Sequence, residues 1–243
     1  MKTNILTIII LSCVFSYGSQ LAYADENLKD LKRSLRFAYN ITPCDYENVE
    51  IAFVTTNSIH INTKQKRSEC ILYVDSIVSL GITDQFIKGD KVDVFGLPYN
   101  FSPPYVDNIY GGIVKHSNQG NKSLQFVGIL NQDGKETYLP SEVVRIKKKQ
   151  FTLQEFDFKI RKFLMEKYNI YDSESRYTSG SLFLATKDSK HYEVDLFNKD
   201  DKLLSRDSFF KRYKDNKIFN SEEISHFDIY LKSVSYTHLT LPT

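Results

Sequence analysis

The sequence has no tryptophan, only 2 methionines and 3 cysteines, and none of the short motifs that mark the common enzyme classes. There is no Gly-x-Ser-x-Gly, no P-loop and no dinucleotide fingerprint. The chain therefore offers neither a nucleophile elbow nor a nucleotide cradle. His-Glu-x-x-His is absent as well, which removes the helix-borne zinc protease site. Beyond the first residues no apolar run is long enough to cross a bilayer. Charge of neither sign prevails: 32 Lys and Arg stand against 30 Asp and Glu, a formal net charge of +2. Such a chain gives no global argument for nucleic acid or an acidic membrane as partner. Internal repeats and low-complexity tracts are missing too.

The two ends differ from what lies between them. Met1-Lys2 is a short basic start, Ile5 to Phe15 is mostly apolar, and Ala22-Tyr23-Ala24 is a small-residue cleavage site. Residues 1–24 read as a secretory signal peptide, so the mature protein is expected to be secreted and extracellular. After Lys232, residues 233–243 carry no Lys, Arg, Asp or Glu and continue no pattern. They read as a non-native tail, and His238 is set aside with them. Residues 25–232 suffice for one large or two small domains. Cys13 leaves with the signal peptide, which puts Cys44 and Cys70 in an oxidising compartment. A disulfide between them would stabilise by roughly 3 kcal/mol on the chain-entropy model. Two unpaired thiols are the alternative, and the Cα separation decides between them.

What the chain has in quantity is aromatic: 17 Phe and 16 Tyr, a composition that favours strands. Over 27–39, Leu28, Leu31, Leu35 and Ala38 fall at helical spacing, and Thr42-Pro43 stops the helix. From Val49 the pattern turns to β. Short runs at 49–54, 58–62, 70–76, 91–96, 110–113 and 124–130 are punctuated by Gly, Pro and Asn clusters, which suggests a small barrel. The character changes near residue 139. Thr152-Leu153-Gln154-Glu155 is a capping box. Phe156, Ile160, Phe163, Leu164 and Tyr168 then mark the apolar stripe of a helix. Runs at 181–186 and 191–197 form a hairpin across Lys187-Asp188-Ser189-Lys190, and 225–231 is the last strand. The expected organisation is α+β: a helical segment (25–42), a barrel (43–138) and a helix on a mixed sheet (139–232).

One short segment carries chemistry. In a strand successive side chains point to opposite faces. His226 and Asp228 therefore share one face of the last strand, and Phe227, Ile229 and Leu231 share the other. His191 lies with Glu193 and Asp195 on the polar face of another strand. Two histidines and a carboxylate suit zinc, and three protein ligands leave a coordination position open. A metal-free surface His and Asp is the plainer reading of the strand pattern. A catalytic zinc would also need a placed general base and a cleft. Glu193 qualifies as that base by strand parity alone.

Lys148, Phe151, Phe156-Asp157, Arg161, Leu164 and Ile170-Tyr171 follow a spacing that resembles the bacterial superantigens, the staphylococcal enterotoxin and streptococcal pyrogenic exotoxin family. Tyr110-Gly111-Gly112-Ile113 resembles that family's second signature, with Val114 where Thr is usual. The likeness runs from Tyr39-Asn40-Ile41-Thr42-Pro43 to the His226–Leu231 segment and is strongest to the zinc-dependent branch. It implies an N-terminal OB-fold β-barrel and a C-terminal β-grasp domain, with an N-terminal helix near their junction. It implies a secreted superantigen, not an enzyme, that links MHC class II to the variable domain of the T-cell receptor β chain. In the zinc branch, side chains matching His191, His226 and Asp228 hold Zn2+, and a histidine of the class II β chain completes its shell. Phe37 and Arg206 match positions that touch the T-cell receptor. A zinc-mediated homodimer is left open. So are two other readings: an immune-evasion module of the same fold with other host ligands, and a secreted zinc hydrolase.

The remaining candidates read as ordinary surface. His60 on an alternating strand and His116 in a polar loop are expected to be solvated. Arg145 and Lys147-Lys148-Lys149 are expected to be a solvated basic segment before a helix, not a heparin or nucleic-acid patch.

Overall fold

A computed structural model describes residues 26–56, 58–63, 68–73, 85–102, 106–117, 124–198 and 206–234. The expected signal peptide and residues 235–243 of the tail lie outside them. Helix α1 (26–39) opens the described chain. Its predicted stripe is its buried face: Leu35 and Ala38 are fully buried, and Leu28 and Leu31 pack against the same core.

Seven strands follow: β1 (Cys44–Val54), β2 (Ser58–Thr63), β3 (Ser68–Tyr73), β4 (Lys91–Gly96), β5 (Asn100–Ser102), β6 (Val106–Tyr110) and β7 (Ile113–Lys115). They form one sheet in the order β5-β6-β3-β2-β1-β4-β7. β1 pairs with β4 along its first half and with β2 along its second, with register shifts in both ladders. Such bulges bend a strand and add twist. Ile51, Ile59, Ile61, Val92, Val94, Ile109 and Ile113 are buried together as this sheet's core.

The second sheet has five strands in the order β10-β9-β16-β13-β14: β9 (Val127–Gln132), β10 (Lys135–Leu139), β13 (Tyr177–Thr186), β14 (His191–Asp195) and β16 (Ile224–Ser233). The short strands β8 (Leu124–Gln125) and β11 (Arg145–Ile146) pair with each other, as do β12 (Gln150–Thr152) and β15 (Ile218–Asn220). The division expected at residue 139 therefore cuts through the second sheet. β9 and β10 form a hairpin, and β9 lies parallel to β16. Their alternation looks like that of the preceding strands, so sequence pattern alone does not tell which sheet they join. The five-strand sheet also takes in Ser233, whose N–H and hydroxyl both bond Asp133.

Helix α2 (Leu153–Tyr168) packs on the inner face of this sheet. The N-cap half of the capping box is formed: Thr152 Oγ1 accepts the Glu155 N–H at 3.4 Å, while the Glu155 carboxylate pairs with Lys148 and Lys159. Asn169, left-handed at φ 51°, ends the helix. Phe156, Ile160 and Leu164 are fully buried, and Phe163 and Tyr168 are partly so. The helix also buries charge that the apolar stripe did not foretell. Arg161 and Asp157 are fully buried, and Arg161 donates to the Leu196 carbonyl at 2.6 Å and the Asp195 carbonyl at 2.9 Å. Lys148 is not a solvated cation either; it pairs with buried Glu155 at 3.1 Å.

The expected strand at 110–113 is instead a turn. Gly111 (φ 60°) and Gly112 (φ 81°) break it between β6 and β7. A Cβ on Gly111 would lie 2.1 Å from the Tyr213 carbonyl oxygen, and one on Gly112 would lie 2.2 Å from that of Phe95. The turn is where the first sheet meets the second half of the chain. Asn216 closes the contact: it accepts from Ile113 N at 2.9 Å and donates to Ile113 O at 2.8 Å.

Candidate functional site

β13 runs between β14 and β16, and its register sets the site. Ala185 pairs with His191 on one side and His226 on the other. Phe183 pairs with Glu193 and Asp228 in the same way. Paired residues in a sheet point to the same face. His191, Ala185 and His226 therefore form one row, and Glu193, Phe183 and Asp228 form the next but one along the strands. The opposite face is apolar: Leu182, Leu184, Val194, Phe227 and Ile229 are buried against α2 and its neighbours. This apolar face fixes the register, since a one-residue slip would turn the whole set inward.

The structure brings two of the three predicted ligands together. His226 Nε2 lies 3.5 Å from Asp228 Oδ2, with side chains 36% and 21% exposed. Two ligand atoms of a tetrahedral zinc, bonded at about 2.0–2.1 Å, stand about 3.4 Å apart, so the pair fits as half of a coordination sphere. His191 is exposed on the same face, two strands away. Among the described residues no three ligand side chains have converged. Within that row Ala185 places only a methyl group between the two histidines. The donors themselves, two imidazoles and a carboxylate, are those zinc takes.

Two features here are not predicted from the sequence. Ser225 Oγ is 3.0 Å from His226 Nδ1, and β16 is irregular at this point. The signal was present: Ile224 and Phe227 are three apart, where strict alternation asks for two. Glu193, the one candidate base, accepts the Ser181 hydroxyl at 2.8 Å and stands across Phe183 from Asp228.

Around the ligands the outer face is neither flat nor wholly polar. Tyr138 (78%), Val127 (54%) and Tyr230 (41%) are exposed. Val127 pairs with His226, and Ile129, which pairs with Tyr138, also pairs with Asp228. On the β14 side lies a groove of about 540 Å³ with Glu193, Asp195, Tyr230 and Lys232 in its lining.

The other predicted positions are scattered. Phe37 stands out from α1 at 65% exposure. Arg206 opens helix α3 (Arg206–Lys211), and its side chain lies outside the described ones. Cys44 is buried at the start of β1, while the side chain of Cys70 on β3 is outside the described set. His60 stacks on Phe53 with ring centroids 3.9 Å apart and contacts Ser58 Oγ at 3.0 Å. His116 Nδ1 lies 2.7 Å from Asp93 Oδ1. Both histidines are thus held by neighbours and stand apart from the His226–Asp228 pair.

Comparison with known proteins identifies the two domains. The family model of the staphylococcal/streptococcal toxin OB-fold domain matches residues 34–115, and that of the β-grasp domain matches 126–231. These limits follow the break between the two large sheets, and the α+β fold expected from the sequence is the one found. The chain is 99% identical over 233 residues to exotoxin type G of Streptococcus pyogenes serotype M1, across 96% of this chain and 100% of that protein. The crystal structure of streptococcal pyrogenic exotoxin J superposes with a TM-score of 0.77 at 40% identity, covering 85% of this chain and 97% of that one. Staphylococcal enterotoxin A co-crystallised with zinc superposes with a TM-score of 0.73 at 28% identity, covering 84% and 95%.

Proposed function

This chain belongs to the staphylococcal/streptococcal toxin family, and on that premise we propose that it is a secreted superantigen joining two host receptors. One is MHC class II, reached through a zinc ion held by His191, His226 and Asp228 and completed by a histidine of the class II β chain. The other is the variable domain of the T-cell receptor β chain, met by Phe37 and Arg206. The activity is binding, and the outcome is T-cell activation that needs no processed antigen.

The observation that carries this reading is the His226–Asp228 pair at 3.5 Å on an outward sheet face, with His191 in register across Ala185. A zinc ion at this set would supply a Lewis-acid position for one incoming ligand. The chain's own residues do the rest. β16 presents His226 and Asp228 side by side, β14 presents His191 from two strands away, and the apolar face of the sheet keeps all three turned outward. Three protein ligands would leave one position of a tetrahedral zinc for an imidazole of the partner. Val127, Tyr138 and Tyr230 flank the set with exposed apolar surface, the kind a protein partner covers. That one structural relative was co-crystallised with zinc supports the same assignment.

The test is binding to cells that bear class II, with and without EDTA, for the native chain and for His226→Ala. The expected result is that both EDTA and the substitution remove most of the binding. Binding that survives both would refute the proposal. Acidification should weaken binding as well, because protons compete with zinc for the imidazoles.

A further inference from the structure

We infer that Ser225 is the positioning residue that orients His226 for metal ligation, an inference that rests on the zinc reading above. The evidence begins in the β13–β16 ladder. From Gly180↔Leu231 to Ala185↔His226 the two strands advance together, one residue for one. The next pair is Thr186↔Ile224. β13 has moved by one residue and β16 by two, so Ser225 is the extra residue of a β-bulge. Bulges re-aim side chains and occur beside functional sites.

The consequence is visible in burial. Ile224 and Phe227 are both in the core, at 5% and 1% exposure. Ser225 and His226, consecutive in the chain, both lie on the outer side, where a regular strand would allow only one of them. The bulge puts the Ser225 hydroxyl 3.0 Å from His226 Nδ1 and leaves Nε2 toward Asp228. A neutral imidazole carries one N–H. When Nδ1–H donates to Ser225 Oγ, the lone pair is left on Nε2, the atom that faces the carboxylate. Metal-ligating histidines donate their second ring N–H to an oxygen in this manner, which fixes tautomer and ring orientation.

The bulge is itself held. Lys187, in the β13–β14 turn, donates its N–H to Glu223 O at 2.8 Å and its Nζ to Glu222 O at 2.7 Å. The turn that leads to His191 is thereby tied to the segment that leads to Ser225.

The experiment measures zinc affinity of the full chain by competition with a chromogenic chelator. It also records the His226 tautomer of the metal-free protein from imidazole nitrogen shifts. Ser225→Ala should bind zinc about 10–100-fold more weakly, shift His226 away from the Nδ1–H tautomer, and leave thermal unfolding of the metal-free chain unchanged. Ser225→Thr keeps the hydroxyl and should recover most of the affinity. If Ser225→Ala binds zinc like the native chain while His226→Ala does not, the role of Ser225 is refuted and the zinc site stands. If His226→Ala also binds like the native chain, the zinc reading falls and the inference with it. Loss of affinity together with loss of stability, unrelieved by Thr, would mark Ser225 as merely structural and overturn the assignment.

Discussion

Arg161 Nε lies 2.8 Å from Asp157 Oδ1, one helical turn away on α2, and neither side chain has any exposed surface. A buried ion pair repays its desolvation only if further hydrogen bonds complete it. Here they come from four other parts of the chain. Tyr39 of α1 donates to Asp157 at 3.4 Å, and Tyr213 donates to the same carboxylate. Arg161 takes the Leu196 and Asp195 carbonyls and bonds Tyr171. Burial raises the pKa of Tyr39, Tyr171 and Tyr213, which keeps their hydroxyls protonated and able to donate.

Removing one member of this pair should cost far more than removing both. Arg161→Ala leaves Asp157 charged and unpaired in the core, and about 3–5 kcal/mol of stability should go with it. Replacing Arg161 and Asp157 together by Met and Leu should cost less than either single truncation. Denaturant midpoints of the three variants decide this. Losses that simply add would mean the two residues do not act as a pair.

Gly111 should tolerate no side chain. Its φ of 60° costs an alanine about 1–2 kcal/mol by itself, and the Cβ would meet the Tyr213 carbonyl at 2.1 Å. Gly134 is the control, since it has a positive φ but nothing within 4 Å of its Cβ. Gly111→Ala should therefore lower the unfolding midpoint clearly more than Gly134→Ala. Equal losses would show that the contact at the turn relaxes without cost.

These buried groups explain what was legible in the sequence. The spacing that pointed to the family consists of core positions: Phe151, Phe156, Arg161, Leu164, Ile170 and Tyr171 are all essentially buried. Packing and hydrogen-bond completion tie such residues to one another, so their spacing reports the fold. The faces of β14 and β16 were readable for the same reason, because Val194, Phe227 and Ile229 have to point inward. What the sequence hid depends on long-range pairing. The membership of β9 and β10 in the second sheet is settled by β16, about a hundred residues later. The turn at Gly111-Gly112 is set by Tyr213 and Phe95. The bulge at Ser225 is a local slip in alternation whose meaning appears only beside the regular register of β13.

Asp133 gives a pH-dependent anchor for the end of β16. Its carboxylate accepts the Ser233 N–H at 2.7 Å and the Ser233 hydroxyl at 2.5 Å. These bonds lower its pKa from the ordinary 3.8. A carboxylate with a lowered folded pKa stabilises fully above the unfolded value and loses that contribution as pH falls through the folded one. Protection of the Ser233 amide from hydrogen exchange should therefore hold above about pH 4 and decline below it. Asp133→Asn should lower the protection at neutral pH and flatten its acid decline. A native chain whose Ser233 protection ignores acid would argue against the anchor.

The two receptor contacts proposed here should separate by mutation. Phe37 is 65% exposed on α1, whereas His226 and Asp228 sit on the outer face of the five-stranded sheet. A large aromatic held in solvent contributes to binding mainly by being covered. Phe37→Ala should leave zinc affinity and binding to class II-bearing cells unchanged and reduce T-cell proliferation at equal surface loading, by about tenfold or more if Phe37 anchors the contact. His226→Ala should lower both loading and proliferation. The measurement is proliferation plotted against toxin bound per presenting cell. On that plot His226→Ala falls on the native curve at low loading, and Phe37→Ala falls below it. If Phe37→Ala also follows the native curve, the receptor contact lies elsewhere on the molecule and the assignment of Phe37 fails.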